Sequence, residues 1–126
     1  MSIDIHHIAI QRSNRSRTIE FFEKLLGYKL IKNSLLPSIL SKEIFDIDGK
    51  VEMLNFADGN ISIEVFITDR KIDNGFAHIC LFVEDIENFI LQCKKINLKP
   101  FSIDKDGREI FFVRDEDGNL FEIKQK

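Results

Sequence analysis

A strand, helix, strands order runs through this sequence twice, once in each half, and an internal repeat restricts the possible folds more than any local propensity does. In the first half, residues 3–10 alternate as a strand does, with Ile8 and Ile10 on one face and Ile5, His7 and Ala9 on the other. Ser13 or Asn14 can cap the helix that follows. Along it Ile19, Phe22, Leu25 and Leu26 recur at helical spacing, and Gly27 suits its left-handed end. A second strand begins over residues 28–31. After an irregular stretch containing Pro37, residues 51–56 and 61–67 read as two strands joined at Asp58-Gly59-Asn60, a hairpin turn signal.

The second half opens with residues 76–83, whose alternation sets His78, Cys80 and Phe82 against Ala77, Ile79, Leu81 and Val83. Asp85 can cap a helix with the apolar stripe Ile86, Phe89, Ile90, Cys93 and Ile96, and Asn97 can end it. Strands over 109–114 and 120–123 meet at Asp117-Gly118-Asn119, the tripeptide already seen in the first half. Each half therefore reads β-α-β-β-β. Neither can bury its sheet and its helix alone, so the two are expected to share one core. The predicted class is α+β: two β-α-β-β-β modules, about 3–68 and 75–125, forming a curved mixed sheet within a single domain over 1–126.

Composition excludes several functions. A 126-residue chain with 44% hydrophobic residues can build its core without disulfides. No window approaches the roughly 20 apolar residues of a membrane span, and the N-terminus lacks a basic-then-apolar leader, so no membrane partner and a cytoplasmic location are expected. Cys80 and Cys93 form no C-x-x-C pair and read as two small buried thiols in a reducing compartment. Net charge is -3, with 18 basic residues scattered among 21 acidic ones, which argues against a nucleic acid partner. Arg12, Arg15 and Arg17 read as the solvated start of a helix rather than an anion site. The chain has 12 Phe and no Trp, which describes a core and not a function.

Superposing the halves places His7 and His78 in the two first strands and Glu64 and Glu122 in the two last. Glu64 lies between Ile63 and Val65, and Glu122 between Phe121 and Ile123, so each carboxylate faces away from its strand's apolar side. A lone His or Glu in a strand is more often a surface residue than a ligand. Their symmetric placement favours a shared role. On a curved sheet that side is a concave cleft, where two imidazoles and two carboxylates would bind one divalent transition ion, Ni, Zn, Co, Mn or Fe. An ion preferring six ligands keeps two positions open for water or substrate oxygens. His6 points the other way and reads as structural or surface. Glu52, Asp115 and Asp117 read as turn or exposed carboxylates, and Cys80 as a small buried filler beside the cleft.

The runs Ile5-His6-His7-Ile8-Ala9-Ile10, Phe21-Phe22-x-x-Leu25-Leu26-Gly27, Gly75-x-x-His78-Ile79 and Asp115-x-Asp117-Gly118-Asn119-x-x-Glu122 resemble the vicinal oxygen chelate superfamily over nearly the whole chain. That superfamily includes glyoxalase I, methylmalonyl-CoA epimerase, extradiol dioxygenases, fosfomycin-resistance enzymes and metal-free bleomycin-binding proteins. The set His7, Glu64, His78, Glu122 looks like the ligand set of bacterial glyoxalase I, whereas the epimerase pattern has Gln at the second position. The resemblance implies a lyase or isomerase acting on a small carbonyl or hemithioacetal, with Glu122 as the general base next to the metal. Gln11 stands where glyoxalase I places an arginine for glutathione, and residues 32–50 carry no glutathione-binding pattern. The same resemblance implies a homodimer with a small-molecule substrate. Two other readings stand beside it: a non-catalytic binding or drug-resistance protein, and a metal-dependent dioxygenase, against which Glu64 argues.

Overall fold

Strand β1 (His7–Arg12) lies parallel to β4 (Ser62–Ile67), with Ile8 opposite Ile63 and Ile10 opposite Val65. The antiparallel strand β3 (Val51–Ala57) continues the row, with Leu54 opposite Val65 and Phe56 opposite Ile63. These apolar positions share one face because side chains alternate along a strand. Ile10, Leu54, Phe56, Ile63 and Val65 are all buried there. In the computed structural model of the protein, residues 6–69 and 78–126 are described. The chain divides into two compact units, Met1–Ile72 and Asp73–Lys126.

In unit 1, Asn14 caps α1 (Arg15–Ile19), its Oδ1 accepting from the Arg17 N–H at 2.9 Å. The helix runs on as a π-helical turn over Glu20–Leu25, where the Leu26 N–H reaches back five residues to the Phe21 carbonyl. Phe21 and Phe22 both turn inward, and the Phe22 ring stacks 5.0 Å from Phe56. Gly27, at φ 75°, then turns the chain into the edge strand β2 (Lys29–Leu36). A second helix, α2 (Ser38–Phe45), fills the stretch read from sequence as irregular. Pro37 precedes it, where a missing N–H costs nothing, and Phe45 packs on Phe66 at 5.0 Å between ring centres. The sheet order is β1-β4-β3-β2.

Unit 2 repeats that order as β5-β8-β7-β6, again with one parallel pair and two antiparallel ones. Its strands are β5 (Ile79–Val83), β6 (Phe101–Lys105), β7 (Arg108–Arg114) and β8 (Leu120–Gln125). Asp85 caps α3 (Ile86–Lys95), accepting from the Asn88 N–H, and Asn97 leaves the helix at φ 66°. Phe89 and Cys93 of α3 are buried with Val113, Phe121 and Ile123. The architecture is α+β, with paired β-α-β-β-β modules and one open, four-stranded mixed sheet in each.

Strand β6 was not recognised in the sequence. Its signal was Asp106-Gly107, and both residues take positive φ, 54° and 82°, as a tight hairpin between β6 and β7 requires. Arg12, expected at a solvated helix start, is instead 1% exposed, its guanidinium 5.3 Å from the Phe21 ring centre. It follows Ile10 at even spacing, so the alternation that buries Ile10 buries it too. Arg15 does lie at the surface and pairs with Glu52 at 2.9 Å. Cys93 is buried as expected, and burial pushes its thiol pKa up to about 11. Cys80 is exposed, since it lies on the face of β5 opposite Ile79 and Leu81. Residues 70–77, including Gly75, Phe76 and Ala77, lie outside the described residues.

Candidate metal centre

In each unit the parallel strand pair brings one imidazole to one carboxylate. Strand register sets Ala9 opposite Glu64 in unit 1 and Cys80 opposite Glu122 in unit 2. In both cases the histidine stands two residues before the partner of the glutamate, on the same face. His7 Nε2 lies 3.5 Å from Glu64 Oε2, and His78 Nε2 lies 3.0 Å from Glu122 Oε1. His78 immediately precedes β5 instead of lying inside a strand that starts at residue 76. All four expected donors thus fall into two equivalent pairs, one per unit.

The carboxylates sit where alternation places them, between the buried Ile63 and Val65 and between the buried Phe121 and Ile123. Glu64 and Glu122 keep 20% and 15% side-chain exposure, enough to reach solvent or a ligand from a largely apolar wall. The donor chemistry fits a divalent ion. Two ligand atoms each about 2.1 Å from one ion and at right angles or tetrahedral spacing lie about 3.0–3.4 Å apart, close to the two separations here. Among the described residues no group of three or more His, Cys, Asp or Glu is assembled to hold an ion.

Four residues near the pairs take places that the sequence does not give them: His6, Lys124, Cys80 and Asp115. His6 is not turned away: its Nδ1 lies 2.8 Å from His7 Nδ1. One of these nitrogens must carry the proton, and a His7 that donates there presents a lone pair at Nε2 toward the Glu64 side. Lys124 places its Nζ 3.9 Å from Glu122 Oε2. Cys80 has its thiol pKa raised by burial and then by the charge of Glu122.

The fourth is Asp115, read as a turn or exposed carboxylate: it is a turn carboxylate, but a buried one, 5% exposed. Its Oδ1 accepts from the Asp117 and Asn119 N–H groups at 3.0 and 2.9 Å, and its Oδ2 from the Asn119 side-chain amide at 2.7 Å. Asp58 plays the matching part in unit 1, accepting from Asn60 and Ile61, and these backbone bonds lower its pKa. The true equivalents are therefore Asp58 and Asp115, not the two Asp-Gly-Asn tripeptides, which are out of step by two positions in the turn. Asp115→Ala is expected to cost roughly 2–4 kcal/mol, because it leaves buried donors unpaired, and to loosen Glu122 in the strand that follows. Chemical denaturation tests this; a loss below about 0.5 kcal/mol would mean water replaces the carboxylate.

Residues 4–123 match the profile of the Glyoxalase/Bleomycin resistance protein/Dioxygenase superfamily. A lactoylglutathione lyase of Arabidopsis thaliana is 27% identical over 124 residues, 95% of this chain and 43% of that protein. The chain thus spans less than half the length of that plant relative. The mitochondrial methylmalonyl-CoA epimerase of Homo sapiens is 26% identical over 96% of this chain and 73% of its own length. The metallothiol transferase FosB of Lysinibacillus sphaericus is 26% identical over 94% and 79%. Among solved structures, a glyoxalase family protein from Enterococcus faecalis superposes with a TM-score of 0.74 at 25% identity, covering 95% of each chain. The relatives named here as a lyase, an epimerase and a transferase are all enzymes by name. No helix among the described residues is long and apolar enough to cross a membrane.

Proposed function

This chain belongs to the Glyoxalase/Bleomycin resistance protein/Dioxygenase superfamily, and from that membership we propose that it is a metal-dependent lyase or isomerase of the glyoxalase I kind, acting on a small carbonyl or hemithioacetal. One observation carries the reading: the same His-to-Glu pair, in the same strand register, occurs once in each unit. Both histidines stay open, with side chains 36% and 38% exposed, so each pair can reach a ligand instead of being sealed in the core. Two such pairs make the two-nitrogen, two-oxygen set His7, Glu64, His78 and Glu122 for one divalent ion, Ni, Zn, Co, Mn or Fe. The pairs come from one chain or from two chains of a homodimer, and the two units form one vicinal oxygen chelate domain over 1–126.

When bound, such an ion acts as a Lewis acid toward vicinal oxygens of a substrate. The rest falls to the chain's own residues. Glu122 is the general base: its carboxylate takes the proton from the hydroxyl-bearing carbon next to the carbonyl and returns it to the carbonyl carbon, while the hydroxyl proton passes to the former carbonyl oxygen, so the reaction needs no outside oxidant or reductant. The buried Phe121 and Ile123 on either side hold that carboxylate in place. The His6–His7 Nδ1 contact ties the two rings together, and with His7 as its donor the His7 Nε2 lone pair is left for the ion. The small-molecule substrate and the cytoplasmic setting belong to the same proposal.

Elemental analysis of the purified protein tests the reading. About one divalent transition ion per chain is expected, lost from a Glu64→Ala, His78→Ala double variant that keeps its circular dichroism. Absence of metal after reconstitution with each of the five ions would remove the basis for metal chemistry and leave the binding-protein reading. The match to the metallothiol transferase FosB over 79% of its length favours one second reading, a metal-dependent thiol transferase that, by the resemblance to the fosfomycin-resistance enzymes, acts on a small drug. Loss of fosfomycin on incubation with thiol and the metal-loaded protein would select it.

A further inference from the structure

The faces that carry the two donor pairs have diverged. Strand register sets Ala9, Glu64, Asn55 and Lys32 in one row across the sheet of unit 1. The equivalent row in unit 2 is Cys80, Glu122, Phe112 and Phe101. Core positions of a repeat must stay apolar for either half to fold. The opposite face carries no such demand, since unit 1 builds the same sheet with Asn55 and Lys32 where unit 2 has an aromatic pair.

That pair is continuous with the donors. Phe101 and Phe112 stack with ring centres 5.4 Å apart and planes 19° from parallel. Phe112 meets the His78 ring edge-on at 6.3 Å, and His78 lies 3.0 Å from Glu122. The outer ring is open, with Phe101 38% exposed, and in the next row Phe82, 66% exposed, stands opposite Lys124. An exposed aromatic surface leading to a few polar groups, one of them a cation, is the make-up of a small-molecule subsite.

We propose that this face of unit 2 holds the aromatic part of the substrate, with Phe101 and Phe112 stacking against it and Lys124 receiving an anionic oxygen. The substrate class is an aryl-substituted small carbonyl or hydroxy compound bearing a carboxylate, in place of a methyl-substituted one. This rests on the metal reading above, because the donor pair marks the reacting end. Aromatic stacking and desolvation favour an aryl group on this wall, whereas a methyl group offers little area and no ring face to stack.

The test uses two acids that differ only there, mandelate and lactate, titrated calorimetrically into the full-length protein, metal-loaded and metal-stripped. Mandelate is expected to bind about tenfold or more tighter than lactate. Phe101→Ala should erase that preference and leave lactate affinity unchanged, while Lys124→Gln should weaken both acids several-fold. Equal affinities, no binding of mandelate, or a preference that survives Phe101→Ala overturns the proposal. A Phe101→Ala protein that changes from dimer to monomer on sizing, with the preference intact, gives the face to a second copy of the chain. The metal reading is scored separately by elemental content. A mandelate preference in a protein that never takes up metal sinks the donor set and keeps the aromatic face; metal uptake with no preference does the reverse.

Discussion

Glu122→Gln is expected to lower turnover of a methylglyoxal or phenylglyoxal hemithioacetal by about two to four orders of magnitude, the usual contribution of a positioned general base. The amide keeps the shape of the carboxylate, so the strand that buries Phe121 and Ile123 is not disturbed. It has no basic oxygen to take the proton. Because Glu122 is also assigned to the metal, elemental content must be measured beside the rates. Metal kept and turnover lost places the defect in proton transfer; metal and turnover lost together place it in ligation. Turnover that is undiminished would show that another group is the base, and a metal-loaded wild type inert toward both hemithioacetals would withdraw the lyase reading altogether.

The largest stability effect is expected at Phe22→Ala, at about 3–5 kcal/mol for removing a fully buried phenyl ring. Phe22 is 0% exposed, stacks on Phe56 at 5.0 Å and meets Phe21 edge-on at 5.2 Å. The variant loses the transfer free energy of the ring and leaves a cavity between the π-helical turn and the sheet of unit 1. Against a total stability typically of 5–15 kcal/mol, that is a large fraction. Phe82→Ala is the natural comparison, since Phe82 is 66% exposed and its removal should change stability by no more than about 0.5 kcal/mol. A denaturation curve for Phe22→Ala within about 1 kcal/mol of wild type would mean that the core closes over the gap.

Much of the fold could be read from local patterns. The caps Asn14 and Asp85, the end at Asn97, and the inward rows Ile8 and Ile10 or Ile79 and Leu81 follow from capping chemistry and from period-two alternation, which act within a few residues. Two elements escaped. Helix α2 follows a proline and exposes Ile39 and Ile44 at 79% and 57%, so its apolar residues do not trace one buried stripe. Strand β6 carries Phe101, Ser102, Ile103 and Asp104, and its hairpin partner was needed to see it. Arg12 illustrates the reverse error, because charge suggested solvent while its strand position decided burial.

The sequence by itself determined the repeat and the α+β class, and it singled out His7, Glu64, His78 and Glu122 as candidates, because each reading depends on spacing along the chain. Only the tertiary structure decided how they pair. The parallel registers that bring His7 to Glu64 and His78 to Glu122 join strands more than 40 residues apart, through hydrogen bonds that local sequence does not encode. The same long-range register turned Phe112 and Phe101 from two entries in a phenylalanine-rich composition into a surface beside Glu122. Burial of Asp115 was equally out of sight, and its carboxylate anchors the turn by accepting from the Asp117 and Asn119 N–H groups.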